Sequence, residues 1–260
     1  MSNRNPAWLI SWRRETTPNI RLFCFPYAGG NGHIFKSWMD SLPDAIDVIG
    51  IELPGRGRRF SEPFIYDMTT MVDLLYDSIK GYLDIPFAFY GHSNGALLVF
   101  ELTKKIMGKL GISPKKIFIA AKRSPHLGRE HPLHKLCDRD FIEVIRHYKG
   151  TPLEVFANPE LLELYLPILR ADFSLSENYI FMDQQPLAVE AVLIAGTQDQ
   201  IASVAEVFAW EELFASPPDK ETVTGDHFFM NSCENHICKI IQQKLIPMAA
   251  IKPKNQQLAI

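Results

Sequence analysis

The chain has 260 residues, 47% of them hydrophobic and 22% charged, with 27 basic against 30 acidic side chains and a net charge of -3. That length supports one large domain with a well-buried core, and the near-neutral balance points to neither nucleic acid nor an anionic membrane surface. Cys24, Cys137, Cys233 and Cys238 are too few and too scattered for a disulfide framework, no apolar run approaches the ~20 residues of a membrane span, and the N-terminus lacks a signal-peptide core, so a reducing, cytoplasmic setting is expected.

The first predicted strand, residues 20–26, runs into the glycine-rich segment Tyr27-Ala28-Gly29-Gly30-Asn31-Gly32. A helix is predicted at 35–41, a strand at 46–53 and a helix at 69–82. A strand at 87–90 leads into a helix at 94–108, and another strand follows at 117–121. Residues 124–185 contain no convincing strand; they carry Pro125, Pro132, Pro152, Pro159 and Pro167 between amphipathic pieces. Strands then return at 189–195 and 221–224, with helices at 204–214 and 230–246. The tail 252–260 is polar and expected to fray. Strands apolar almost throughout belong in a parallel sheet covered on both faces, and their alternation with helices indicates a doubly wound α/β sheet. The expected organisation is a core formed by 1–123 and 186–260, with 124–185 inserted as a helical lid or cap. An ordinary helical excursion without a gating role is the simpler alternative.

The strand at 87–90 enters Gly91-His92-Ser93-Asn94-Gly95, a GxSxG pattern followed at once by a helix. That context is what a nucleophile elbow requires. The turn is so tight that its serine takes a strained backbone conformation, and the residues two positions away must be small. A bare GxSxG occurs by chance; the flanking strand and helix make it specific, and the expected fold is therefore α/β-hydrolase.

A serine hydroxyl needs a neighbouring base, and in this fold the acid and the histidine follow the serine in that order. His227, in Gly225-Asp226-His227-Phe228-Phe229, stands just after a predicted strand, at an edge where ligands bind. His126, His131, His134 and His147 lie in the insertion, and His236 lies in the last helix. The acid is assigned to Asp199, in the loop after 189–195, with Asp226 and Asp172 as rivals. The glycine-rich loop after the first strand is expected to offer the Ala28 amide to an oxyanion, together with the Asn94 amide. A phosphate-binding loop is the competing reading, but neither GxGxxG spacing nor a Lys-Ser/Thr pair is present.

The blocks LFCFPYAGGN (22–31), LPGRGRRFSEPF (53–64), FYGHSNGAL (89–97), LRADFSLSENYI (169–180), AGTQDQI (195–201) and GDHFFMN (225–231) make the chain similar to the type II thioesterases of polyketide and nonribosomal peptide synthesis. Medium-chain fatty acyl thioesterases are their relatives. The resemblance spans about residues 20 to 240. It implies hydrolysis of acyl thioesters on the phosphopantetheine arm of a carrier protein, by Ser93, Asp199 and His227, with Ala28 and Asn94 supplying oxyanion amides. It implies no metal and no cofactor, the pantetheine belonging to the substrate, and a monomer whose partner is a carrier protein. Three positions depart from the family pattern. Asn94 replaces the frequent Met or Leu, Tyr27 a common His, and Asp226 a Gly; Asp226 is expected to raise the pKa of His227 through its negative charge.

Other expectations are weaker in signal. Phe141, Val155, Phe156, Leu161 and Phe173 are candidates for an acyl pocket, with packing inside the insertion the simpler role. Arg56, Arg58 and Arg59 form a basic cluster that fits either docking of an acidic carrier protein or internal pairing with carboxylates. Lys104, Lys105 and Lys109 read as a solvated helix face. Cys233, His236 and Cys238 do not converge on a metal, because positions 233 and 238 of a helix point about 140° apart at ~100° per residue. His126, His131 and His134 read as surface histidines. A carboxylesterase or lipase acting on oxygen esters, and a non-catalytic binding scaffold, are the rival functions.

Overall fold

In a computed structural model of the chain, residues 6–12, 17–128, 132–182 and 185–249 are described, Pro6 and 247–249 by backbone alone. The tail at 252–260 and His131 lie outside them. The strands are β1 (Leu9–Ser11), β2 (Ile20–Phe25), β3 (Ile46–Ile51), β4 (Phe87–His92), β5 (Ile117–Ala120), β6 (Ala191–Gly196) and β7 (Asp219–Val223). They form one sheet in the order β1-β3-β2-β4-β5-β6-β7. All neighbours are parallel except β1, which pairs antiparallel with β3 at the edge. This is the α/β-hydrolase fold expected from the sequence.

Side chains alternate across the sheet, as strand geometry demands. Phe23, Phe25, Ile49, Phe89, Ile119 and Leu193 pack on one face with α2 (Met68–Ile79), α3 (Asn94–Leu110) and α7 (Val204–Phe208). Leu22, Cys24, Val48, Tyr90, Phe118 and Ile194 pack on the other, with α1 (Trp38–Ser41), α8 (Phe229–Ser232) and α9 (Glu234–Ala249). Two faces buried at once explain why the strands read as unbroken apolar runs.

Between β5 and β6 lie α4 (Asp138–Tyr148), α5 (Leu153–Ala157) and α6 (Pro159–Glu177). They carry a small core of their own in Phe141, Ile145 and Leu169, and α6 comes down on the carboxyl edge of the sheet through Asp172 and Leu169. Asn158 caps α6 by accepting from the amides of Glu160 and Leu161, which leaves Pro159 at the one helical position where its missing N–H costs nothing.

The structure departs from the sequence reading in its short elements. β1 was not foreseen: it is three residues long, too short for a periodicity to register. The predicted helix at 35–41 is a 3-10 turn, Gly32–Phe35, followed by the four-residue α1. The predicted helix at 230–246 is two, interrupted at Cys233, whose φ of -122° is not helical. Among the described residues no helix is long and apolar enough to cross a membrane.

Candidate active site

The chain reverses its winding at β2. From β2 it steps outward to β3, then returns past β2 to β4 on the other side. The carboxyl ends of β2 and β4 therefore flank the switch point where open α/β sheets bind ligands. The glycine-rich loop leaves β2 and the GxSxG turn leaves β4 at that place.

Ser93 takes φ 54° and ψ -115°, a strained conformation for a non-glycine residue. A Cβ on Gly91 would stand 2.3 Å from the Gly95 carbonyl oxygen, and one on Gly95 would stand 2.2 Å from the Phe25 carbonyl oxygen. Both glycines are thus required by backbone contact. The hydroxyl lifted out by this turn lies 3.0 Å from Nε2 of His227. His227 Nδ1 lies 2.8 Å from Oδ2 of Asp199, so three side chains from three loops form one hydrogen-bonded chain.

Asp199 is buried, which would raise its pKa. Hydrogen bonds from His227 and from the amides of Ala202 and Ile201 outweigh burial and hold it below the usual carboxylate range. The Asp199 and His227 loops are stitched together, Thr197 N–H donating to Val223 and Gln198 N–H to Gly225, both at 2.9 Å.

Tyr27, Ala28, Gly29 and Gly30 form a turn closed by the Gly30 amide on the Tyr27 carbonyl at 2.9 Å. Gly29 takes φ +79° at its third position, as a type II turn requires. The Ala28 amide is left on the outer corner, and the Asn94 amide opens α3. Neither donates to a protein acceptor among the described residues. Ala28, Asn94, Ser93 and His227 all line one cavity of about 320 Å³.

The rivals for the acid have other partners. Asp226 is exposed and accepts from the Phe228 amide at 2.9 Å. Asp172 is buried against Arg56, 2.6 Å from each guanidinium nitrogen it meets. Burial would lower the pKa of Arg56, but the adjacent Asp172 charge raises it above its ordinary value. Arg59 is also buried, pairs with Glu62 and stacks 3.7 Å over the ring of Trp8, and Arg58 donates to the Leu9 carbonyl. The docking role for this cluster does not stand: two of the three arginines are inside. Internal pairing is what their sequence allowed, and burial decides it.

Of the candidate pocket residues only Phe173 lines the cavity. Phe141 and Phe156 pack within the inserted helices, Val155 is buried on α5, and Leu161 is exposed. Its larger apolar walls also include Leu97, Ile145, Leu169, Ile201 and Phe228. His134 is half-buried and pairs with Glu177 at 2.8 Å, and His126 bonds Ser124, so neither is an idle surface group. Cys238 is buried in the core, away from exposed His236. Lys104 pairs with Glu101 and Lys105 with Asp73.

Sequence reasoning missed His92. It is fully buried; its Nε2–H donates to the carbonyl of His227 at 2.7 Å, and its Nδ1 accepts from the Tyr90 hydroxyl at 3.2 Å. The predicted strand stopped at 90. Continued by two residues, its alternation Ala88, Tyr90, His92 would have put this histidine on the face covered by α8 and α9.

With this geometry in place, comparison with known proteins is direct. The thioesterase domain family matches residues 20–245. The chain is 37% identical to the linear gramicidin dehydrogenase LgrE of Brevibacillus parabrevis, over 92% of each. It is 32% identical to the gramicidin S biosynthesis protein GrsT of Aneurinibacillus migulanus, covering 92% of this chain and 96% of that one. The structure of YbtT, a type II thioesterase from the yersiniabactin NRPS/PKS pathway, superposes with a TM-score of 0.84 at 28% identity, covering 93% and 99%.

Proposed function

The chain belongs to the thioesterase domain family, and from that premise we propose that it is an editing, type II thioesterase that clears acyl groups from the phosphopantetheine arm of carrier proteins in nonribosomal peptide or polyketide synthesis. The observation that carries the catalytic part is the chain of contacts from Asp199 through His227 to Ser93, at 2.8 and 3.0 Å. Relatives named for such pathways support the substrate class. The segment 124–185 serves as the cap over the site.

The steps follow from the geometry. A thioester carbonyl carbon lies against Ser93 Oγ. His227 Nε2 takes the hydroxyl proton as Oγ attacks, and the Ala28 and Asn94 amides donate to the oxyanion. Asp199 holds the imidazole in the tautomer with Nδ1 protonated and stabilises the imidazolium. As the tetrahedral centre collapses, the C–S bond breaks and Nε2 returns its proton to the thiolate, leaving an acyl-serine. Water then attacks, giving its proton to His227, and the acid leaves with Ser93 restored. A thiolate leaves more readily than an amine, so the first collapse asks little of the acid.

The test is a panel of acyl-loaded carrier proteins followed by intact mass, with matched p-nitrophenyl esters alongside. Acyl release at rates above those for the esters, abolished by Ser93→Ala with a loss of ~10⁴-fold or more, is the expected result. Esters cleaved well while loaded carriers persist would assign the chain to oxygen esters instead.

A further inference from the structure

On the reading that the Ala28 and Asn94 amides receive the oxyanion, we propose that Asp172, clamped by Arg56, is a positioning residue that sets both amides from the cap. Its carboxylate Oδ2 accepts from the Gly29 amide at 2.7 Å. That N–H belongs to the peptide joining Ala28 to Gly29, so fixing it fixes the orientation of Ala28. Arg56 donates to the Gly30 carbonyl at 3.1 Å while gripping both oxygens of Asp172 at 2.6 Å. The turn is thereby held on both sides of Gly29.

The second half of the hole is tied to the same residue. The Asn94 side-chain Nδ2 donates to the Asp172 carbonyl oxygen at 2.7 Å, so one residue of α6 holds the residues bearing, or adjoining, both donors. Leu169, one turn earlier on α6, lies so close to Gly29 that a Cβ there would meet its Cδ2 at 2.7 Å. The Asn94 side-chain oxygen in turn accepts from Lys122 Nζ at 3.4 Å, so its amide group is held at both ends.

A purely stabilising role does not account for the arrangement. The ion pair is almost wholly inside, with its side chains 5% and 4% exposed. Pairs of this kind are often no more stable than well-packed apolar side chains of similar volume. Apolar replacements would fill the space, but they would leave the Gly29 amide without its carboxylate and the Gly30 carbonyl without Arg56, and the turn free to rotate. Oxyanion donors act only when aimed within a few tenths of an ångström. The cap, through α6, thus completes the catalytic electrostatics as well as roofing the cavity.

The experiment compares hexanoyl-pantetheine with its dithioester, in which sulfur, a poor hydrogen-bond acceptor, replaces the carbonyl oxygen. In Asp172→Asn, kcat on the oxygen thioester should fall about tenfold to hundredfold with KM nearly unchanged. The dithioester rate should hold, so the preference for oxygen collapses by the same factor. The acidic limb of the pH–rate profile should stay in place, because the His227–Asp199 contact is untouched. Asn94→Leu, which leaves the ion pair intact, should move the preference in the same direction by a smaller factor. If Asp172→Asn does not fold, Asn94→Leu alone decides. An oxygen preference equal to wild type in the folded variants, or a loss confined to KM, overturns the inference while Ser93→Ala remains inactive. Turnover that survives Ser93→Ala overturns the catalytic reading, and this inference with it.

Discussion

At residue scale, a side chain outside the Ser93–His227–Asp199 chain of contacts bears directly on the His227 loop. His92 is buried, its Nε2–H is given to the His227 carbonyl, and a charged imidazolium in its place would lose solvation and force the Tyr90 hydroxyl to turn from donor to acceptor. Burial first, and then the proximity of His227, push its pKa down to about 3. In the unfolded chain it takes up a proton near pH 6.5. Between those values the unfolded state holds one more proton than the folded state, so stability falls as the solution is acidified from about pH 6.5 toward 3, by at most about 1.4 kcal/mol per pH unit. Denaturant midpoints measured across that window should fall less steeply for His92→Gln than for wild type; parallel slopes would show that His92 does not titrate with unfolding. Ser93, Asp199 and His227 were legible because a motif or a strand end marks each of them. His92 was not, because its partner is a backbone carbonyl 135 positions away.

The elbow shows the element scale most plainly. β4 and α3 join through a residue held at positive φ, and the two flanking glycines abut backbone rather than side chains. Backbone does not yield as a flexible side chain does. Gly95→Ala should therefore cost more than ~2 kcal/mol, read from urea denaturation, and should drop acyl-enzyme formation even where the protein folds, because Ser93 moves with the turn. A stable, active Gly95→Ala would show that β2 can shift to make room. The long apolar strands β2 to β6 were readable because burial on both faces writes itself as composition. β1 was not, since its place is settled by pairing with β3 and by Trp8 packing beneath Arg59. The elements of the insertion were readable as helices, yet which of their apolar residues face the cavity was not: α4 sends Phe141 inward to its own core and leaves Ile145 and Tyr148 at the cavity.

Over the whole molecule, the inserted helices and the sheet meet at a buried charge. Arg56 follows β3 and Asp172 lies on α6, 116 positions apart. Removing Arg56 leaves a carboxylate in the interior with the Gly29 amide as its shown donor, so Arg56→Leu should destabilise the chain by about 3–5 kcal/mol, measured by urea denaturation. A change under about 1 kcal/mol would mean that water reaches the site and the carboxylate is not isolated. The Arg56–Arg59 cluster also marks the limit of reading charge from sequence. Three arginines in four residues look like a surface patch, and here two of them are swallowed by partners that arrive from elsewhere in the chain.

The amino-acid sequence by itself determined the alternation of apolar strands and amphipathic helices, the serine turn with its two glycines, and the order in which nucleophile, acid and histidine appear. These are local properties, fixed by sterics and periodicity over a handful of neighbours. Only the tertiary structure decided that Asp172 serves Arg56 rather than His227, that His92 holds the His227 loop, and which apolar side chains face the cavity. Each of those is a choice among partners distant along the chain, made by which groups burial leaves within reach of one another, and burial is a property of the folded whole.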